Sequence, residues 1–201
     1  VERTEGSLLT TLLHSLRHAH LLLVFDNCEH VVEACAKLTE AVLQGCPHVR
    51  VLATSREPLG IHGEQVWPVP PLPLQNSASA AVSEAVQLFM ERAAATLPGF
   101  ALTEENRPSI VEICARLDGI PLAIELAAAR VKTLTPLQIA GRLDDRFHLL
   151  VGGSRTAPPR QQTLHAAVSW SYELLGVNDR RLFDRLAVFS GGWDLEAADR
   201  L

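Results

Sequence analysis

The chain has 201 residues, 47% hydrophobic and 20% charged, with a formal net charge of −5 and a sequence pI of about 5.9. This composition fits a globular protein with a sizeable core, as one large domain or two to three small ones. It argues against a polyanion-binding surface, and no apolar stretch approaches the roughly 20 residues of a membrane span.

No signal peptide is recognisable, so a cytoplasmic location is expected. Cys28, Cys35, Cys46 and Cys114 lie in apolar or helical contexts and read as thiols of a reducing compartment, not as a disulfide framework. Cys28-x-His30 and Cys46-x-His48 match no zinc-ligand spacing, so buried cysteines beside surface histidines are the expectation there. The chain begins at Val1 and ends inside a helical run, DLEAADRL, which leads us to expect a fragment of a longer polypeptide.

In chain order, Ser7 is placed to cap a first helix bearing Leu8, Leu9, Leu12, Leu13 and Leu16 on one face. Leu21–Phe25 is an uninterrupted apolar run that stops at Asp26, the pattern of a strand buried on both faces in a parallel sheet. Val31, Val32, Cys35, Leu38, Val42 and Leu43 then recur with helical period up to Gly45 and Pro47. Val49–Ala53 is a second strand. Strand, helix and strand form a βαβ unit, whose crossover is right-handed. Its two strands therefore end at the same sheet edge, which brings Asp26 and Arg56 to one side. Ligands of open α/β sheets bind beyond that edge. Asp26 there resembles the Walker B carboxylate of P-loop proteins, which helps to hold Mg²⁺ beside nucleotide phosphates; the alternative is a simple cap for the next helix.

A short strand is expected over Gln65–Val69. Pro68, Pro70, Pro71 and Pro73 then stiffen a connector that runs into NSASA. Beyond residue 80 the pattern is helical only. Val82, Val86, Phe89 and Ala93 share one face, and Ile110, Ile113, Cys114 and Leu117 another, with Pro108 leaving the start of the second helix open. Pro121 opens a third helix to about Lys132, almost free of charge and so nearly surrounded by protein. Thr135 caps a fourth, with Leu137, Ala140 and Leu143 inward. After a linker over 151–163, one helix carries Leu164, Val168, Ser171 and Leu175. Asn178 caps another, with Leu182, Phe183, Leu186 and Phe189. Gly191 and Gly192 form a turn, and Asp194 caps the last helix.

Four stretches in this order, LLLVFDNCEH, RVLATSREPLG, LDGIPLAIELAAARV and QTLHAAVSWSYELL, resemble the NB-ARC-like STAND ATPases. More narrowly, they look like the ATPase core of bacterial LuxR- or SARP-type transcriptional regulators. The resemblance implies a fold of α/β followed by all-α. Residues 1–75 would be the C-terminal half of a P-loop nucleotide-binding domain, 76–150 a helical domain, and 151–201 the start of a winged-helix domain. It implies an ATP/ADP switch that controls self-association, with DNA reached only through other domains of the intact protein.

By the same resemblance Asp26 takes the Walker B role toward Mg²⁺. Arg56 contacts the terminal phosphate, and Pro121 of the Gly119-Ile120-Pro121 turn packs against adenine. Two departures stand out. No G-x-x-x-x-G-K-[ST] motif occurs, so the chain alone is expected to bind ATP more weakly than about 1 mM. Asn27 stands where many related ATPases have an acidic residue; it can orient a water but cannot take its proton, so hydrolysis is at most slow. His148 and His165 read as surface or packing histidines. The competing functions are a helical protein-interaction module without nucleotide binding and a winged-helix DNA-binding module; for the latter, Glu173, Asp179 and Asp184 interleave with Arg180, Arg181 and Arg185, as on a solvated helix surface.

Overall fold

A computed structural model describes residues 2–74, 82–151, 162–189 and 193–199. The chain divides into two compact units, Val1–Pro68 and Val69–Leu201.

In the first unit, α1 (Glu2–Leu16), β1 (Leu21–Phe25), α2 (Val32–Gly45) and β2 (Val49–Ala53) follow one another. The strands pair in parallel, Leu21 opposite Val49 through to Phe25 opposite Ala53. Because side chains alternate along a strand, Leu21, Leu23, Val49 and Val51 share one face. They pack with Leu13 and Leu16 of α1 and with Leu38, Val42 and Cys46 around α2. The other face carries Leu22, Val24 and Leu52, which are 56%, 57% and 53% exposed. The expectation of burial on both faces is thus corrected: the apolar run is continuous, but among the described residues nothing covers its second side. Nor does Gln65–Val69 form a strand. A strand is held by its ladder, among the described residues no neighbour pairs with this segment, and the prolines from 68 onward lack donors. Ser7 lies inside α1 and not at its start, because Glu2–Gly6 is already helical.

The second unit is helical. Ser83 caps α3 (Glu84–Thr96), its hydroxyl accepting from the Val86 N–H at 3.4 Å. The helix buries Val86, Phe89 and Ala93. In α4 (Arg107–Arg116) Pro108 falls in the first turn, where its missing N–H has no intrahelical partner to lose. Pro121 opens α5 (Pro121–Ala128), which continues as a 3₁₀ turn over Ala129–Lys132. α5 buries Ala123, Ile124, Leu126, Ala127 and Ala128, as its lack of charge predicts. A capping box of Thr135 and Gln138 starts α6 (Pro136–Ala140). These helices share one core centred on Phe89, Ile110, Ile113, Ile124, Ile139, Leu143 and Leu150.

Leu137 departs from the inward assignment, being 71% exposed. α6 is barely more than one turn long, and only its C-terminal end, Ile139 and Ala140, reaches the core. A single turn, α7 (Arg146–Leu149), follows. Leu164 at the start of α8 (Leu164–Glu173) packs against the same core. α9 spans Val177–Leu186 with Gly176 at the cap, so Asn178 lies inside the helix; it buries Leu186 but exposes Leu182 and Phe183. Asp194 caps α10 (Leu195–Ala198) as expected, accepting from the Ala197 N–H at 2.8 Å. The Gly191-Gly192 turn and most of the 151–163 linker lie outside the described residues. No described helix is long and apolar enough to cross a membrane.

Candidate functional site

The parallel register sets the geometry at the carboxyl edge of the strand pair. With Phe25 opposite Ala53, the next residues out are Asp26 and Thr54. The Thr54 hydroxyl donates to Asp26 Oδ1 at 2.6 Å and accepts from the Asn27 N–H at 2.8 Å. Thr54 N–H donates to the Phe25 carbonyl, and Cys28 N–H donates to the Thr54 carbonyl, both at 2.9 Å. Asp26 is therefore tied sideways to the neighbouring strand and does not cap a helix. Asn27 adopts a left-handed conformation, φ 65°, which Asn tolerates better than most residues. It turns the chain into a 3₁₀ turn over Cys28–His30, so Glu29 precedes α2 and is not part of it. The Asn27 amide nitrogen lies 3.1 Å from His30 Nδ1 across that turn.

Arg56 leaves the same edge two residues beyond Thr54. Its Nε lies 3.6 Å from Glu29 Oε1; the Arg56 side chain is 47% exposed and that of Glu29 only 10%. In the first unit Asp26 and Asn27 are thus bonded to Thr54, and Arg56 pairs with Glu29. Thr54 and Glu29 complete the cluster, and sequence reasoning missed both. For Thr54 the placement follows from the register, which sets the residue after Ala53 beside the residue after Phe25 and which the sequence does not state. For Glu29 nothing in the spacing indicated a partner.

Gly119 and Pro121 belong to the second unit. Gly119 has φ 68°, and a Cβ built there would lie 2.2 Å from the Leu72 carbonyl oxygen. Leu72 N–H donates to the Gly119 carbonyl at 2.9 Å. The connector is thereby laced to the turn before α5, with Gly119 buried and Ile120 and Pro121 exposed at its tip. An exposed apolar tip of this kind can stack on a flat ring.

The cysteines are free thiols. Burial and a hydrogen bond with Cys35 push the Cys28 thiol up to about 11, and burial pushes Cys114 up to about 12, so neither supplies a thiolate near neutral pH. Among the described residues no three His, Cys, Asp or Glu side chains converge as a metal centre would require.

Comparison with known proteins adds relatives. A Mycobacterium tuberculosis protein, provisionally named an HTH-type transcriptional regulator, is 49% identical over 191 residues, 95% of this chain and 21% of its own length. A Mycobacterium bovis protein with the same kind of name matches equally. An uncharacterized Mycobacterium tuberculosis protein is 45% identical over 192 residues, 96% of this chain and 47% of its own length. No family model matches the chain, and no solved structure matches it. The chain spans about half the length of the shorter relative, 47%, and about a fifth of the longer ones, 21%. It is homologous to a segment of these larger mycobacterial proteins, and those that carry a functional name are named as transcriptional regulators.

Proposed function

We propose that the chain is part of a nucleotide-dependent switch, responsive to ATP and ADP, within a bacterial transcriptional regulator. Asp26 carries this reading: an exposed carboxylate at the carboxyl edge of two parallel strands, tied through one oxygen to Thr54, with Arg56 leaving the adjacent strand. The donor set fits a hard divalent cation. Mg²⁺ keeps several waters and is held by one or two carboxylates together with substrate phosphates. When bound, it would neutralise phosphate charge beside Asp26. The Arg56 guanidinium offers a rigid fork of donors suited to a terminal phosphate.

Asn27 in place of an acid fits a switch better than a fast ATPase, since an amide cannot accept the proton of an attacking water. The names of the relatives support a regulatory role for the whole protein. Self-association through this region would then follow the bound nucleotide, with DNA contacts made elsewhere in the protein. Sedimentation of the complete gene product with Mg²⁺ and either ATP or ADP tests the reading. A sedimentation coefficient that differs between the two nucleotides is expected; no binding of either nucleotide at millimolar concentration would overturn it.

A further inference from the structure

The hydrogen bonds that join the two strand ends divide into two kinds. Thr54 N–H to Phe25 and Cys28 N–H to Thr54 are backbone bonds; the first closes the parallel ladder, and the second falls one residue beyond the Asn27 N–H that a regular ladder would use. They would persist with any side chain at position 54. The hydroxyl bonds are different. A threonine hydroxyl has one proton to donate and two lone pairs. Here the Asn27 N–H occupies one lone pair, which sets the hydroxyl's direction, and the single proton goes to Asp26 Oδ1 at 2.6 Å. That separation is in the range of a charge-assisted O–H···O⁻ bond.

Asp26 is exposed. A carboxylate in water needs no protein partner to avoid a desolvation penalty, so this bond is not there to satisfy a buried group. What it does is restrict a side chain that would otherwise sample several rotamers at a surface. Among the described residues Oδ2 has no hydrogen-bond partner, so the restrained carboxylate still has one oxygen to give.

Resting on the nucleotide reading above, we propose that Thr54 is the positioning residue of the site: its hydroxyl locks the Asp26 carboxylate in one orientation, with Oδ2 reserved for the divalent cation that accompanies the nucleotide. Thr54 touches neither metal nor phosphate in this role and acts only through Asp26. Its effect through Asp26 therefore falls on metal-dependent binding, while its bond from the Asn27 N–H holds the turn. Outer partners of metal ligands characteristically contribute about 10- to 100-fold to metal affinity.

The test uses the complete gene product, with Mg²⁺ titrated against a fixed concentration of ATP, and metal-free ADP as the control ligand. Thr54→Val keeps the shape and both backbone-to-backbone bonds but removes the hydroxyl, and with it both the bond to Asp26 and the acceptor of the Asn27 N–H. It is expected to raise the Mg²⁺ concentration for half-maximal ATP binding by about tenfold or more, while metal-free ADP affinity stays within about twofold. Thr54→Ser keeps the hydroxyl and is expected to behave like the wild type. If Val at 54 disturbs folding, as circular dichroism would show, Thr54→Ala is the substitute, with the same shift expected. The proposal is overturned if the hydroxyl-free variant leaves the Mg²⁺ requirement unchanged, or if it weakens ADP as much as MgATP, since either makes Thr54 a structural tie only. A wild type whose ATP binding ignores Mg²⁺ overturns the nucleotide reading of Asp26 itself, and this inference with it.

Discussion

Leu72 and Gly119 meet backbone to backbone: the Leu72 N–H donates to the Gly119 carbonyl at 2.9 Å, and a Cβ on Gly119 would come within 2.2 Å of the Leu72 carbonyl oxygen. The glycine is required twice over, by its φ of 68° and by that close approach. The obstacle is backbone, which cannot swing aside like a flexible side chain. Gly119→Ala is therefore expected to destabilise the helical unit by at least about 2 kcal/mol, combining left-handed strain with displacement of the connector. Urea unfolding checks this; an unchanged midpoint would mean that the connector yields freely.

Arg56→Ala is expected to narrow the preference for ATP over ADP by on the order of 1.5–3 kcal/mol, the range of a hydrogen bond to a charged group. The change also leaves the largely buried Glu29 carboxylate without its cation. Glu29→Gln separates the two effects, because it releases the guanidinium while keeping it present. Calorimetry with both nucleotides reads the ratio; a ratio unmoved by Arg56→Ala would remove Arg56 from the site.

The first unit was legible because its signals are local. The apolar run ending at Asp26, one helical stretch, and a second apolar run ending before Thr54 dictate a parallel pair and a shared edge. Contacts that depend on register or on a distant partner were not legible. The Thr54–Asp26 bond exists only because Phe25 pairs with Ala53. Glu29 reaches Arg56 only because Asn27 turns the chain through a left-handed residue. Gln65–Val69 has strand composition but, among the described residues, no strand to pair with. Leu182 and Phe183 fit the helical period of α9, yet Leu186 is the residue that α9 buries.

The alkaline limb of stability follows from the buried thiols. Cys114 in the fold is pushed up to about 12 from an ordinary 9.0. Between these values the unfolded chain has lost its proton and the folded one has not. Its contribution is thus complete below pH 9 and is lost as pH rises toward 12, by up to about 1.4 kcal/mol per pH unit. Cys28 acts in the same direction up to about 11. Cys114→Ala is expected to flatten the fall in urea-unfolding free energy between pH 8.5 and 10.5, values set about the ordinary thiol pKa. An identical slope in the variant would show that Cys114 does not titrate this way.

The bare face of the strand pair should govern solubility. Leu22 and Leu52 project from β1 and β2 into solvent, and such apolar sheet surface favours association. Leu22→Thr with Leu52→Thr is expected to reduce light scattering of the isolated chain while shifting unfolding by no more than about 0.5 kcal/mol per site, as for exposed positions. A large loss of stability would mean that this face is covered within the chain.

The most direct measurement is calorimetric titration of the complete gene product and its Asp26→Ala variant with MgATP and with metal-free ADP. If the strand-edge carboxylate holds the metal beside the nucleotide, the variant should lose about tenfold or more in MgATP affinity and keep its affinity for metal-free ADP. Equal losses for the two ligands would contradict this and leave Asp26 as a tie between two strands.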